Sequence, residues 1–528
     1  MSENYYNFFL FDGNNFLLAF ITNIVLLSFI PLIWKITPMS LGKKKSINFI
    51  FILCLLITVQ IFTKNILLLF SLFTLMIYFI IKLINLFLSD NEIKICLTDN
   101  IAGLFFLSIF LFSYGYFFNT LDLSLAGTIS INNSFFYLGT IPLVFFFIQT
   151  LNLSPFYGGI KTISSNKYAE VSFFYSSILF LAAINVFYKF SLLLSNFDSF
   201  LKLILIFGLI NLIKFTMCFF AKTEIKILLQ NVMGINFSWV LIILGCNFHI
   251  DSFTLIISTM SFILFQAYLY LYLKEKDLNL HISFIQLSNK NIVSMLFLII
   301  IFINTITLPF SAIFEIKEKV RWFFYSNSAY YFESGSYLLC VLLLLEIIIL
   351  YKFIDLYLII FKKSKDLHQE KQVRGLLKRP LTKNIHSFSY SIVAIIIFAF
   401  VLLSLGVIDI WKMIFITNGK ASSLQMGHYN ILITELTLYL IISTTLIIIR
   451  VFNIDKSYQF FKEIEYVKNK IIYRINLLEN RGFNLEKFLI KLANQTSFFI
   501  KFLLIILKNF RTFIGNIFLS LQLFFNEE

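Results

Sequence analysis

Between residues 15 and 451 the chain is almost wholly built of apolar runs close to the 20 or so residues a helix needs to cross a bilayer. They occupy 15–38, 47–63, 65–88, 100–118, 134–151, 170–194, 200–221, 226–247, 252–273, 292–322, 337–361, 388–413 and 430–451, thirteen in all. In hydrocarbon every backbone N–H and C=O needs an internal partner, so each run is expected to be helical. The predicted fold is an all-α polytopic membrane protein with about 13 transmembrane helices. Composition agrees, since 59% of the 528 residues are hydrophobic and only 13% charged, with a mean hydropathy of +0.86.

The charges sit in short loops. With thirteen spans, LGKKKS, the long loop KKSKDLHQEKQVRGLLKRPLTKNIHS and the segment after Arg450 all fall on one side. The positive-inside rule makes that side the matrix or cytoplasm, and it explains the net charge of +15 without nucleic acid as a partner. MSENYYNFFLFDG runs straight into the first span, so no cleavable signal is expected. Beyond residue 452 the chain is mixed in charge, and residues 452–528 are expected to form a surface-lying, amphipathic helical tail. The heavy use of Phe, Ile, Leu, Asn and Lys points to an AT-rich genome, such as an organelle or a reduced endosymbiont.

Catalytic signatures are missing: no P-loop, GxGxxG, GxSxG or HExxH occurs. The five cysteines (Cys54, Cys96, Cys218, Cys246, Cys340) have no ligand spacing, and the five histidines are dispersed, with only His249 beside a span. What remains are ionisable groups in or beside apolar runs. Taking a charge out of water is costly, so such groups face the bundle interior or a hydrated pathway. The candidates are Lys214, Lys226 with Glu224, Glu315, Lys317, Glu346, Asp355 and Glu435. Against this, Lys64 and Lys189 lie near span ends and can snorkel, and Glu346, Lys352 and Asp355 form one polar stripe suited to a neighbouring helix.

Lys317 stands apart. Pro309 interrupts its span, and proline removes a backbone donor and clashes with the preceding turn. Broken helices at membrane depth occur where they line a polar cavity, and a lysine two turns beyond the break lies beside that opening. Desolvation destabilises a lysine's charge, which lets it take up and release a proton.

Several segments, in order, resemble the antiporter-like membrane subunits of respiratory complex I (NADH:ubiquinone oxidoreductase). LPFSAIFEIK resembles that family's PFxxGFxxK through Pro309, Phe310, Phe314 and Lys317. TEIKILLQNVMGINFSW is similar to its D-[IL]-K-R-L-L segment through Glu224, Ile225, Lys226, Leu228, Leu229 and Trp239. NLSPFYGGIK resembles PFHxWLP through Pro155, Phe156 and Tyr157, and FTKNILLLFSLFTLMIYFI resembles the early DLLLLFLGLELL helix. The resemblance covers roughly residues 50 to 360 and is nearest to subunit 2, with subunit 5 or 4 as alternatives.

That likeness implies two inverted five-helix units, each with one broken helix, at Pro155 and at Pro309. It divides the chain into an amino-terminal span and loop (1–46), a first unit (47–194), a second unit (195–325), carboxy-terminal spans (326–451) with a basic loop (362–387), and the tail. It implies a proton pathway through Lys317, Glu315, Lys226, Glu224, Lys214 and Glu346. It further implies no cofactor in this chain, with NADH, FMN, Fe–S clusters and ubiquinone held by other subunits. The partners would be other membrane-arm subunits and lipids, cardiolipin among them, in the mitochondrial inner membrane or, alternatively, a bacterial one. The family's early glutamate falls at Thr74 and its first lysine at Thr150, and the span after Pro155 carries a lysine only at its end, Lys189. A stand-alone cation/proton antiporter and a structural subunit that has lost pumping therefore stay open as readings.

Overall fold

The computed structural model describes residues 9, 13–37, 42–118, 122, 136–153, 169–194, 198–221, 224–246, 259–260, 262–264, 266–267, 269–271, 305, 317, 319–321, 323–324 and 338–353. Pro155, Pro309, Glu315, Asp355, Glu435, the basic loop, the last two spans and the tail lie outside them. Eight complete helices follow in order: α1 (Gly13–Ile36), α2 (Gly42–Phe62), α3 (Ile66–Ile84), α4 (Asp90–Phe118), α5 (Phe136–Thr150), α6 (Ala169–Leu194), α7 (Asp198–Ala221) and α8 (Ile225–Gly245). Further helical positions lie within 259–271, 317–324 and 338–353. Six helices among the described residues are long and apolar enough to cross a bilayer, which makes this a multi-pass membrane protein.

Each of the eight lies on one of the apolar runs. The pair at 47–88 is joined by a three-residue link, Thr63 to Asn65, as its spacing requires. Asn65 caps α3, its Oδ1 accepting from the amides of Leu67 (2.9 Å) and Leu68 (3.2 Å). α4 starts ten residues before the apolar run, because its polar first turns extend past the bilayer. Glu92 reaches back to the Ser89 amide (2.9 Å), one half of a capping box, and Asp90 and Glu92 favour the positive helix end.

Contacts give the direction of every helix. Phe16 meets Phe62, Gly103 meets Gln149, and Asn100 binds Tyr175 while Phe110 meets Phe190. Thus α2, α4, α6 and α8 run outward from the side bearing Lys43–Lys45, the inner side, and α1, α3, α5 and α7 run inward. α7 and α8 consequently run opposite to α2 and α3 respectively.

α8 is the central element: 89% of its apolar core is buried, against 33% for the lipid-flanked α4. Its bonds with α6 keep a constant register, Gln230 with Ser172, Met233 with Ser176 and Phe237 with Phe180. Paired phenylalanines fill the interior, with ring centroids 4.3 Å apart for Phe147–Phe187 and 4.8 Å for Phe110–Phe190. α7 and α8 approach closely through glycine. A Cβ on Gly208 would lie 2.8 Å from an Ile242 side-chain carbon, and one on Gly245 would lie 2.8 Å from the Leu205 amide nitrogen. Gly245→Leu is therefore expected to destabilise the protein by about 1–3 kcal/mol or more through overpacking, read as a lower unfolding temperature in detergent.

α5 is short. It is 15 residues long, and its last turn lies against Gly103, three residues into the apolar run of α4. Asn152 adopts a left-handed φ of 51°, and the amides of Asn152 and Leu153 return to the carbonyls of Gln149 (2.9 Å) and Ile148 (2.9 Å). This is a Schellman cap, and it satisfies the carbonyls that would otherwise end unpaired at membrane depth. Residues 149 to 153 are all buried.

Candidate functional site

Lys317 is held by a residue well before it in the chain. Its Nζ donates to the carbonyl of Thr305 at 2.9 Å, a residue twelve positions earlier. In one straight helix twelve residues span about 18 Å, beyond a lysine's reach, so these two positions are closer than a continuous helix permits. Lys317 is 1% exposed, and its ammonium sits 4.8 Å from the ring centroid of Trp239, in the outer half of α8. A carbonyl and a π face together stabilise a desolvated cation without neutralising it.

One helical turn beyond Lys317, on the same face, lies Arg321. Its Nη2 binds Glu346 Oε2 at 2.6 Å, and the two side chains are 2% and 4% exposed. The buried Glu346 carboxylate is thus paired with a fixed cation one turn beyond Lys317. Lys352, two turns along the same helix, is buried as well. Of the stripe expected from Glu346, Lys352 and Asp355, Glu346 meets Arg321, a residue absent from the sequence-derived candidates. The four-residue spacing from Lys317 was the signal that could have found it.

Other candidates lie elsewhere. Glu224 is exposed at the start of α8 and makes no side-chain cap bond; the side chain of Lys226, which follows it, is outside the described part. Lys214 is half-buried on α7, toward the inner side, with its ammonium 5.3 Å from the Phe215 ring centroid. Lys189 is half-buried at the outer end of α6 and donates to the Thr63 carbonyl. Among the described residues no group of His, Cys, Asp and Glu could hold a metal ion.

The two threonines standing where the family has charges bond to their own helices. Thr74 donates to Phe70 O at 2.8 Å, and Thr150 lies 3.1 Å from both Phe146 O and Phe147 O. Thr150→Val is accordingly expected to cost less than about 1 kcal/mol and to leave any proton transfer unchanged, which a transport assay beside a stability measurement will check.

No protein-family model matches the sequence, and no curated protein does. A chain of respiratory complex I shares the fold. It belongs to the complex from Thermus thermophilus solved with bound aureothin, with a TM-score of 0.55 over 77% of this chain and 87% of that one, at 13% identity. At that identity the likeness is one of fold.

Proposed function

We propose that this chain is a proton-translocating membrane-arm subunit of an NADH:ubiquinone oxidoreductase, most like subunit 2, in the mitochondrial inner membrane. The observation that carries the reading is the buried Lys317, bonded to Thr305 across a span that one helix cannot bridge and stacked over Trp239. The fold shared with a complex I chain supports it, as do Lys317 and Trp239, residues of two of the family-like motifs.

In this reading Pro309 causes the second interruption, Pro155 follows the first, and residues 47–194 and 195–325 are the two antiporter-like units. Lys317 carries the proton. Glu346 is its acidic neighbour, held in place by Arg321 one turn beyond Lys317. Glu315, Lys226, Glu224 and Lys214 are further members of the pathway. Redox chemistry, with its NADH, FMN, Fe–S clusters and ubiquinone, takes place in partner subunits, and the lipid neighbours include cardiolipin.

A second reading, a structural subunit whose first unit no longer pumps, is favoured by one observation: Thr74 and Thr150 are engaged by their own helices. Purification decides the assembly. The chain is expected to co-migrate with NADH-oxidising activity in a large membrane complex; migration on its own would refute the subunit assignment. The H⁺/NADH ratio of the purified complex after Lys317→Met separates the pumping reading from the structural one.

A further inference from the structure

The inner ends of the first three helices form a basic surface, away from Lys317. α1 carries Lys35 in its last turn, α2 opens with Lys43, Lys44 and Lys45, and α3 carries Lys82 in its last turn. Since α1 and α3 run inward and α2 outward, all five lysines lie on the inner side. No Asp or Glu occurs between residues 13 and 89. The nearest acids, Asp90 and Glu92, open α4, where Glu92 is engaged by the Ser89 amide. Two of the ammonium groups rest on aromatic rings, Lys43 over Trp34 at 4.9 Å and Lys82 over Tyr78 at 5.7 Å. Trp and Tyr mark the headgroup level of a bilayer, so these charges are held at the depth of the inner-leaflet phosphates.

Topology alone asks for positive charge on this side, but at no particular place. Here the charge stands at the end of an apolar groove. Phe49 of α2 and Phe79 of α3 meet with ring centroids 6.0 Å apart, and both are half-buried. One turn inward from Phe49 on the same face lies the exposed Lys45, and three residues inward from Phe79 lies the half-buried Lys82. Because the two helices are antiparallel, the Phe49–Phe79 contact sets both lysines nearly level at the inner mouth of the groove. Outward from it, Ile52 of α2 is half-buried and Leu75 of α3 is exposed, which continues the apolar track along the membrane.

We propose that the α2–α3 groove binds one anionic diacyl phospholipid of the inner leaflet, with its phosphate between Lys45 and Lys82 and an acyl chain along Phe49, Phe79 and Leu75. The phosphate supplies the counter-charge that these three helices lack, and the lysine stems cover the first methylenes of the chain. A soluble anion would use the basic mouth and leave the apolar track empty; a lipid fills both. The inference needs only a chain embedded in the membrane with these lysines inward, and it does not rest on proton translocation.

The intact assembly is placed in nanodiscs of phosphatidylcholine with a minor fraction of phosphatidylglycerol, and the lipids that stay bound through detergent washing are counted by mass spectrometry. Wild type is expected to retain one more phosphatidylglycerol per copy of this chain than the double variant Lys45→Gln with Lys82→Gln. The variant's apparent affinity for that lipid should fall about 30-fold, each lysine at a membrane surface contributing a factor of roughly five. Lys35, Lys43 and Lys44 remain to fix the topology. Lys45→Arg with Lys82→Arg keeps both charges and is expected to retain the lipid. Where the glutamine pair fails to assemble, Lys82→Gln alone carries the same expectation at about fivefold. A high-resolution map is expected to show a phosphate between the two ammonium groups. Equal retention in wild type and the glutamine variant overturns the site, as does retention of phosphatidylcholine equal to that of phosphatidylglycerol. A map with a protein segment seated in the groove overturns it too. Release of the lipid by inorganic phosphate alone would show that only the charge is recognised, and would overturn the lipid as occupant.

Discussion

In Lys317→Met, proton flux through this chain is expected to fall by roughly 100-fold, the usual scale for losing a positioned proton-transfer group. NADH oxidation by partner subunits should continue, so the readout is the H⁺/NADH ratio of the reconstituted assembly. Methionine nearly matches the length of the lysine stem and packs against Trp239, so folding should survive. Lys317→Arg is the sharper variant. It keeps a cation over the ring and a donor toward the Thr305 carbonyl, but a guanidinium does not release its proton. Loss of pumping in both variants is the expected result. If arginine pumps normally, the position needs a fixed charge and carries no proton; if methionine does, the structural-subunit reading becomes the better one.

Arg321→Leu has the largest expected effect on stability. It leaves Glu346, now 3% exposed, without its 2.6 Å partner in a membrane interior. Removing one partner of a buried ion pair costs about 3–5 kcal/mol, because the surviving charge is uncompensated. The measurable result is loss of the subunit from the assembled complex on a native gel. Replacing both residues, Arg321→Leu with Glu346→Leu, removes the orphan charge and is expected to restore assembly while pumping stays impaired. A double variant as poorly assembled as the single one would show that the pair's role in packing exceeds its electrostatics.

The importance of these two sites was unequally visible. Lys317 was legible because a proline, a lysine and a long apolar run fall within one short stretch, a conflict that only a broken helix resolves. Glu346 was legible as an acid inside VLLLLEIIIL, but its partner lies 25 residues away on another helix. The burial of Glu170 was not legible at all. An acid in a first turn is what any helix start favours, and only the fold buries this one. The orientation of the Thr150 hydroxyl was also undecided, because it can face a neighbour or its own preceding turn with equal chemical ease. Here it turns back on α5.

Apolar length by itself determined that this chain crosses the membrane repeatedly, where its described helices fall and, through LGKKKS, which side is inner. Hydrocarbon leaves the backbone no alternative to the helix and places the cost of every charge in plain view. The tertiary structure alone decided which face of each helix points inward. In lipid the outer face is as apolar as the core, so periodicity does not separate them: the spans of α8 and α4 are both strongly apolar, yet 89% of one is buried and only 33% of the other. It likewise decided that α5 ends at Thr150 and that Arg321 pairs with Glu346. Both depend on contacts between segments far apart in sequence, whose partners a reading of local pattern has no means to assign.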